Sequence, residues 1–391
     1  MEIAKHPKSE IGSRTKRLQE RMSGLHGILI LQNTDMCYFS GTAQDGLLFI
    51  PAVGEPALLV RKVLERAKEE SPVADVRPLG SFKDLKTQLK IPSNAVLGLE
   101  LDVMPYNNYH RLAQALPGCQ LTDASEHIKH VRAVKSRFEI GLIEQAASII
   151  DAGISSAKGY IEPGMKDIEL AANVERSMRL LGHQGVMRFR RWNHELYFGH
   201  IMSGPEATIP SYVASPTGGR GVSVSVPQGA GYRSIGRDEP VLLDYVGVYN
   251  GYCADETRIF CIGHLSKDLE QAHDAALEVQ KDIARMLTPG ASAKAVFEAS
   301  EKKGEEFGYK DNLGGPPGKK CGFVGHGVGM EIDEYPVLAP TDQKIEAGNV
   351  IAVEPKMIFP GRGVVGIEDT FLVTESGAKR LTKLDQGIWY V

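Results

Sequence analysis

Short apolar runs alternate with amphipathic stretches over the first third of the chain, from residue 25 to about 125. The pattern predicts strands at HGILILQN, DGLLFIPAV, PALLVRKV, VADVRPL and AVLGLELD. Between them it predicts helices at VLERAKEE, FKDLKTQLK and YNNYHRLAQAL. Alternation of this kind is typical of a layered α/β domain. No cluster of His, Asp and Glu within this region has the character of a site.

The pattern changes at about residue 130, where apolar residues begin to recur at helical spacing. A long amphipathic helix is predicted from Ile140, Ile143, Ala147, Ile150 and Ile154. A second helix, MKDIELAANVERSMRLLG, ends at Gly182. Two more are predicted at about 266–287 and 292–307, in a part of the chain otherwise rich in strands and loops. We therefore expect two domains, residues 1–127 and 128–391.

Composition narrows the class of protein without identifying its chemistry. The chain of 391 residues is 42% hydrophobic and 24% charged, as expected of a soluble globular protein. Its net charge of −4 argues against nucleic acid or an anionic membrane as the main partner. The five cysteines form no CxxC pair, the N-terminus is charged rather than apolar, and no apolar run approaches ~18 residues. These features favour a reduced, cytoplasmic setting.

Two aspartates are expected to meet on a hairpin formed by VLLDYVGVYNGYCADETRIF, residues 241–260. Asn-Gly between two apolar runs is a strong hairpin signal. A turn centred there places position 244 opposite 257 and position 246 opposite 255. Asp244 and Asp255 are then diagonal neighbours on one face, roughly 5–8 Å apart. Two solvated strand aspartates are the alternative interpretation of this hairpin alone.

A second hairpin, VIAVEPKMIFPGRGVVGIEDTFLV at residues 350–373, supplies two more carboxylates. Its turn at PGRG brings Glu354 close to opposite Glu368, both within apolar strands where an unpaired carboxylate is costly to bury. His326 stands between glycines in FVGHGVGMEIDEYP. Four carboxylates and one histidine are a typical ligand set for paired divalent cations, whereas calcium alone would not need the histidine. A satisfied core histidine is the alternative for His326.

These segments resemble the metal-ligand blocks of the pita-bread metallopeptidases. DYVGVYNGYCADETRIF, FVGHGVG and VEPKMIFPGRGVVGIEDTFLV carry the resemblance. That family includes methionine aminopeptidase, prolidase (Xaa-Pro dipeptidase), aminopeptidase P and creatinase, and the chain looks most similar to the Xaa-Pro dipeptidase-like members. The resemblance implies an α/β N-terminal domain of the creatinase/prolidase type and an α+β pita-bread catalytic domain.

The resemblance also implies a role for each ligand. Asp244 would bind one metal and Asp255 would bridge two, His326 and Glu354 would hold the second, and Glu368 would bridge from the other side. A hydroxide between the metals would attack an amide carbonyl, with Glu354 carrying the proton. The two divalent ions would be Mn, Co, Zn or Fe. A homodimer is expected on the same basis.

The sequence departs from the family pattern at four positions. Asp333 stands where GHGxGxxxHExP has a histidine near the substrate amide, and Ser211 stands where another histidine is usual. Gly366 replaces an arginine before the last ligand, and Lys356 replaces the glycine after Glu-Pro. Loss of one oxyanion-type donor typically costs ~10²–10³ in rate. Asp333 could replace its histidine as a catalytic donor only if it were protonated, and Ser211 remains a candidate substrate contact.

A segment rich in basic and aromatic residues, RFRRWNHELYFGH at 188–200, offers substitutes for the missing histidines. His200 is a candidate proton donor and His194 a candidate substrate contact. Candidates for pairing with a substrate carboxylate are Arg188, Arg190 and Arg191. A solvated basic strand with aromatic packing is the alternative interpretation.

Three functions follow from these observations. The leading one is metal-dependent hydrolysis of amide bonds in a small peptide, with an Xaa-Pro dipeptide as first substrate. The second is metal-dependent hydrolysis of a small non-peptide amide, as in a creatinase-related enzyme, favoured by the changed residues at 211, 333 and 366. The third is a non-catalytic binding protein on the same scaffold, which retention of all five ligands argues against. Neither nucleic acid nor a membrane is expected as a partner.

Overall fold

The computed structural model describes residues 5–316 and 318–391. Its backbone divides into two compact units, Met1–Arg132 and Ala133–Val391. The division expected from the sequence, between residues 127 and 128, lies inside a helix that runs over Ser125–Ala133.

The first unit is built on a six-stranded mixed sheet. Its strands are β1 (Gly27–Ile30), β2 (Gly46–Pro51), β3 (Ala57–Val60), β4 (Asp75–Pro78), β5 (Val96–Leu99) and β6 (Gln120–Asp123). Their order is β4-β3-β2-β1-β5-β6. Strand β2 pairs antiparallel with both β1 and β3, whereas the pairs β3–β4, β1–β5 and β5–β6 are parallel. The helices are α1 (Lys8–Gln19), α2 (Asn33–Ser40), α3 (Leu64–Glu70), α4 (Leu85–Gln88), α5 (Tyr106–Ala115) and α6 (Ser125–Ala133).

The five strands predicted for this unit are present, but α1, α2 and β6 were not predicted. Helix α1 lacks an apolar stripe because a buried arginine, Arg14, lies on its inner face beside Leu18. The pattern of the sequence predicts an exposed arginine at this position. In the structure the buried guanidinium of Arg14 donates a hydrogen bond to the carbonyl oxygen of Tyr38 at 2.8 Å, which offsets the cost of burying the charge.

The second unit contains three sheets, in which most strands pair antiparallel, and four long helices. The helices are α7 (Arg137–Ser156), α8 (Asp167–Leu180), α9 (Lys267–Met286) and α10 (Ala293–Glu306). The strands are β7 (Gly199–Ser203), β8 (Val241–Tyr249), β9 (Tyr252–Cys261), β10 (Gly325–Gly327), β11 (Glu334–Val337), β12 (Val350–Val353), β13 (Lys356–Phe359), β14 (Gly363–Gly366), β15 (Asp369–Thr374), β16 (Gly377–Arg380) and β17 (Trp389–Tyr390). Strand orders are β17-β9-β8-β7, β11-β10-β12-β15-β16 and β13-β14. All four long helices were predicted.

Helix packing fixes the outer faces of these sheets. Helix α7 starts at a capping box in which Ser136 Oγ accepts the Glu139 amide and the Glu139 carboxylate accepts the Ser136 amide. It lies across β8, where Gly247 admits the helix backbone: a β carbon there would stand 2.2 Å from the Ala146 carbonyl oxygen. The inner faces of β8, β9 and β12–β15 are thereby left to form the site. No helix among the described residues has the length and apolar character needed to cross a membrane.

Candidate metal centre

The hairpin of β8 and β9 positions the two aspartates. The turn residues Asn250 and Gly251 have φ angles of 46° and 87°, the left-handed values that Asn-Gly adopts in hairpin turns. Asp244 faces Thr257 and Val246 faces Asp255, so the predicted register is confirmed. Both aspartate side chains are buried.

The second hairpin consists of two ladders, because Pro355 lies between β12 and β13 and interrupts one side of it. Val353 pairs with Asp369 in the β12–β15 ladder, and Lys356 pairs with Gly366 in the β13–β14 ladder. Counting one residue along from Val353–Asp369 places Glu354 opposite Glu368, so the predicted cross-strand arrangement is confirmed. An antiparallel bridge between Thr257 and Glu368 joins this hairpin to β9.

His326 lies on β10, the strand between β11 and β12. Its flanking glycines are needed because the neighbouring backbones approach closely. A β carbon on Gly325 would stand 2.4 Å from the Ala352 carbonyl oxygen, and one on Gly327 would stand 2.2 Å from that of Tyr335. The glycines therefore let His326 lie between two closely spaced strands with its ring turned toward the carboxylates.

The structure brings all five predicted ligands to one place. Side-chain atoms of Asp255, His326 and Glu368 lie within 4.8 Å of one another. The Nε2 of His326 is 3.5 Å from Glu354 Oε1 and 3.9 Å from both Asp255 Oδ2 and Glu368 Oε1. Asp244 lies on the opposite side of the group.

The side chain of Lys356 enters the same cluster from the Asp244 side. Its Nζ is 2.8 Å from Asp244 Oδ2, 2.9 Å from Glu354 Oε2 and 2.9 Å from Glu368 Oε2. Lys356 is 1% exposed, so the ammonium group is enclosed with its partners. Thr257 Oγ1 donates to the same Glu368 oxygen at 2.9 Å. The sequence shows Lys356 as a departure from the family pattern but does not indicate its role.

Charge is unevenly balanced across the cluster. Burial opposes ionisation of Glu354, but Lys356 and His326 outweigh it and lower its pKa to about 2. Burial and then the Glu354 charge raise the pKa of Glu368 to about 8, and burial with the Glu368 charge raises that of Asp255 well above its usual value. Burial lowers the pKa of His326, but its bond to Glu354 and the surrounding carboxylates raise it overall to about 9. With all four carboxylates ionised, the cluster would hold more negative charge than Lys356 and His326 neutralise, and the raised pKa values of Glu368 and Asp255 reflect this excess.

Unpartnered oxygens show where a further cation fits. Asp255 Oδ1 and Glu368 Oε1 are buried and have no hydrogen-bond partner among the described residues. Asp255 and Glu368 both belong to the group around His326, and one imidazole with carboxylate oxygens is a donor set that suits Mn, Co, Zn or Fe. The residues therefore fit one divalent ion at Asp255, His326, Glu354 and Glu368. On the other side Lys356 Nζ stands among the oxygens that a second ion would need.

The cluster forms the floor of a cavity of about 250 Å³. Apolar side chains make much of its wall: Phe189, Leu196, Val213, Val246, Phe323, Ile332 and Val337. Three polar candidates from the 188–200 segment also line it, namely Arg191, His194 and His200. Such a cavity accepts a small ligand with an apolar portion and a polar group directed at the floor.

His200 pairs with Asp244 across β7 and β8 and is buried beside the cluster. Burial lowers its pKa, with the Asp244 charge opposing the shift, so the ring is neutral at pH 7. Its Nδ1 has no hydrogen-bond partner among the residues that the structure describes. A neutral imidazole donates from one ring nitrogen and accepts at the other, so His200 can bond a ligand in the cavity.

Asp333 lines the cavity, but its carboxylate is already engaged. Oδ1 accepts the backbone amide of Arg190 at 2.8 Å and Oδ2 accepts that of Arg191 at 2.9 Å. Both oxygens of the carboxylate are therefore directed at the backbone of the neighbouring loop. Asp333 thus positions the backbone of the 188–191 segment, and its predicted role as a catalytic donor in place of a histidine stays a prediction.

Three predicted substrate contacts do not line the cavity. Ser211 Oγ accepts the backbone amide of Val213, and the Arg190 guanidinium lies 3.7 Å from Glu331. Arg188 is also absent from the residues that line the cavity, whereas Arg191 is among them. The three arginines are close in sequence, so only the conformation of the loop separates them.

Comparison with known proteins agrees with this architecture over nearly the whole chain. Residues 14–134 match the creatinase/prolidase N-terminal domain, and residues 141–375 match the metallopeptidase family M24. The chain is 30% identical to an Xaa-Pro dipeptidase of Pyrococcus furiosus, over 92% of this chain and 94% of that protein.

Solved structures show the same fold. A prolidase from Pyrococcus horikoshii is 27% identical and superposes with a TM-score of 0.79, covering 95% of this chain and 99% of that one. An Xaa-Pro dipeptidase from Bacillus anthracis, at 24% identity, superposes with a TM-score of 0.83 over 97% and 100% of the two chains. The expected fold class, an α/β N-terminal domain followed by an α+β pita-bread domain, is confirmed. With both of its domains matched in order, the chain belongs to the metallopeptidase family M24.

Proposed function

We propose that this protein is a metal-dependent hydrolase that cleaves the amide bond of a small peptide, with Xaa-Pro dipeptides as the leading substrates. Membership of the family implies a divalent metal. Curated relatives from two Pyrococcus species are named Xaa-Pro dipeptidase. The observation that carries the proposal is the ligand group of Asp255, His326 and Glu368 at the floor of a small, largely apolar cavity.

The side chains around the floor would have different roles in hydrolysis. A bound divalent ion would supply a Lewis acid for the scissile carbonyl and would activate water. Glu354 is ionised, with Oε2 held by Lys356 and Oε1 turned toward His326, and its carboxylate would take the proton from water and return it to the leaving amine. His200 would donate a hydrogen bond to the substrate from the neighbouring strand.

The side chains that line the cavity indicate the kind of substrate. Arg191 is the guanidinium that lines it, and Asp333 fixes its backbone. A guanidinium pairs with a carboxylate through two parallel hydrogen bonds. The apolar wall suits a ring or aliphatic side chain. A dipeptide offers both features, because it carries a free carboxylate beside its second side chain.

A small non-peptide amide is the second candidate. The residues at 211 and 333, where prolidase-like sequences have histidine, are here a serine outside the cavity lining and an aspartate whose carboxylate accepts two backbone amides. Neither supplies the donor that those histidines supply near a prolyl amide. A substrate with a better leaving group would need that donor less.

A substrate screen after metal loading tests the proposal. The protein would be loaded separately with Mn, Co, Zn and Fe and assayed on Xaa-Pro dipeptides, other dipeptides, their C-terminal amides, and small N-acyl amines. We expect turnover that requires metal and favours a free carboxylate. Arg191→Gln should raise KM for dipeptides at least ~10-fold, since a charge-assisted bond contributes about 1.5–3 kcal/mol, without the same effect on amidated substrates.

Arg188→Gln is the matched control, because Arg188 is three residues away and outside the cavity lining. An equal rise in KM for both variants would contradict the role of Arg191. Hydrolysis of N-acyl amines but not of dipeptides would favour the second candidate. Absence of turnover with every metal would leave the non-catalytic binding protein. The identity of the metal and the homodimer expected from the family remain predictions, testable by elemental analysis and by sedimentation.

A further inference from the structure

We propose that the ammonium group of Lys356 permanently occupies the position of one of the two metal ions, so that this centre holds a single divalent cation. The cation would be bound by Asp255, His326, Glu354 and Glu368. The inference rests on the metal-dependent function proposed above and concerns the composition of its centre.

The geometry around Nζ is that of a cation site already filled. An ammonium group has three N–H donors and no acceptor. Lys356 Nζ has three carboxylate oxygens at 2.8–2.9 Å, one each from Asp244, Glu354 and Glu368. Each donor therefore has its own acceptor.

A metal ion and this ammonium group cannot share the site. Carboxylate oxygens lie about 2.0–2.2 Å from a bound transition metal. An ion bound by the same three oxygens would stand at the position of Nζ itself. Two positive charges at van der Waals distance in a buried site also repel strongly. Binding a second ion there requires Lys356 to leave.

The hairpin fixes the backbone of Lys356 beside the carboxylates. The residue starts β13 and pairs with Gly366 across the two-stranded ladder. A β carbon on Gly366 would stand 2.7 Å from Lys356 Cα, so this approach requires glycine. Lys356 is 1% exposed, and removing its charge from three buried carboxylates costs free energy that a surface lysine would not lose.

The two glutamates link the filled position to the open one. Glu354 and Glu368 each direct one oxygen to Nζ and the other toward His326. Asp255 and Glu368, which lie beside His326, each have one oxygen, Oδ1 and Oε1, that lacks a hydrogen-bond partner among the described residues. The cluster is thus arranged around two cation positions, of which a protein side chain supplies one.

Lys356 is consequently a positioning residue. With all three N–H groups bonded to carboxylates, it has no donor left for a substrate. It fixes the orientation of Glu354 and Glu368 and supplies a positive charge that cannot dissociate. The open position alone would then respond to the concentration of metal.

Metal content per chain tests the inference directly. The full-length wild-type protein and Lys356→Ala would be saturated with manganese or cobalt, freed of excess ion, and analysed by elemental mass spectrometry. Alanine removes the ammonium group and most of the stem, so the three oxygens become available. We expect about one ion per chain for the wild type and about two for Lys356→Ala. Spin coupling between two cobalt ions, seen by electron paramagnetic resonance, should appear only in the variant.

Lys135→Ala is the matched control. Lys135 is also buried in this unit and pairs with a carboxylate oxygen of Glu334 at 3.1 Å, but it does not line the cavity. Its removal should leave one ion per chain.

Two ions in the wild type would overturn the inference and leave the proposed function intact. One ion in both proteins would also overturn it, because the freed oxygens would not form a site. No ion in the wild type would overturn the inference and the proposed function together. One and two ions without turnover of any amide would support the inference while the proposed function fails. The wild-type measurement stays decisive if Lys356→Ala does not fold.

Discussion

In the half of the centre nearest Asp244, carboxylate oxygens are bonded to Lys356 Nζ at 2.8–2.9 Å, whereas in the half nearest His326 the nearest cationic nitrogen is 3.5–3.9 Å away. We call these the lysine half and the open half. They share Glu354 and Glu368, which give one oxygen to each. Buried carboxylates occur in both, but among the described residues only the open half has fully buried carboxylate oxygens without a hydrogen-bond partner.

The difference indicates which half is structural and which is available to a ligand. A buried charge that is fully paired and hydrogen-bonded stabilises the fold only modestly, while one left without a partner carries a large cost. In the lysine half, the ammonium group of Lys356 pairs with the buried carboxylates. In the open half no cationic nitrogen lies as close, so binding of a divalent cation there would relieve repulsion between the carboxylates.

The largest expected effect comes from breaking the open half. Asp255→Asn keeps the shape of the side chain but removes its charge and one strong metal ligand. We expect metal content to fall to background and turnover to fall by ~10³ or more, because a metal-dependent hydrolase loses its Lewis acid. Asp333→Asn, in the same cavity but bonded to backbone amides, should keep its metal. Normal metal content in Asp255→Asn would contradict the assignment of the open half.

Breaking the lysine half should instead act on stability. In Lys356→Met, three buried carboxylates lose their cation, and the metal-free protein should lose about 3–5 kcal/mol of unfolding free energy. Added manganese should restore much of this loss, since a ligand at 100 times its dissociation constant contributes about 2.7 kcal/mol. Denaturant unfolding with and without metal measures both quantities.

Lys135→Met supplies the contrast for that experiment. It also removes a buried lysine paired with a carboxylate, so its metal-free stability should fall. Metal should not rescue Lys135→Met beyond its effect on the wild type. Equal rescue of the two variants would mean that the loss at Lys356 is not specific to the cation site.

Much of the open half could be predicted from the sequence because local signals specify it. The turn Asn250-Gly251 fixes the register of β8 and β9, and alternation then determines which aspartates share a face. The PGRG turn does the same for Glu354 and Glu368. Hairpin geometry depends on neighbouring residues, so short segments carry the information.

The carboxylates of the lysine half were predicted, but the presence of the Lys356 ammonium group among them was not, although part of its signal is present. Lys356 stands two positions after Glu354 and, in an extended segment, on the same face. Whether its ammonium group turns inward depends on Asp244 and on Gly366, which approach only in the folded unit. The hydrogen bonds of Asp333 were not predicted for a similar reason, since the Arg190 and Arg191 amides that it accepts come from a distant loop. Helix α1 was missed because its buried Arg14 breaks the apolar pattern.

Smaller changes in the supporting threonines should separate the halves more finely. Thr370 Oγ1 bonds both backbone groups of Asp255, at 2.8 and 2.9 Å, while Thr257 Oγ1 donates to the Glu368 oxygen that Lys356 already holds. We expect Thr370→Val to weaken metal binding ~10-fold, as loss of an outer hydrogen-bond partner commonly does. Thr257→Val should lower stability by ~1–2 kcal/mol with little change in metal affinity. Titration calorimetry and denaturant unfolding report the two effects, and a reversed pattern would contradict the division.

The smallest effect concerns a titrating group outside the centre, Glu175 on α8, whose carboxylate accepts a hydrogen bond from Tyr245. Burial raises its pKa to about 7, against the opposing effect of that bond. The folded protein therefore binds this proton more tightly than the unfolded chain does, and stability falls as pH rises from about 4.5 through 7. Glu175→Gln removes the titration, so between pH 5 and 8 the metal-free wild type should lose on the order of 2 kcal/mol more than the variant. Parallel stability profiles would mean that Glu175 is ionised in the fold, and any pH dependence that persists in Glu175→Gln, and that manganese suppresses, belongs to the open half.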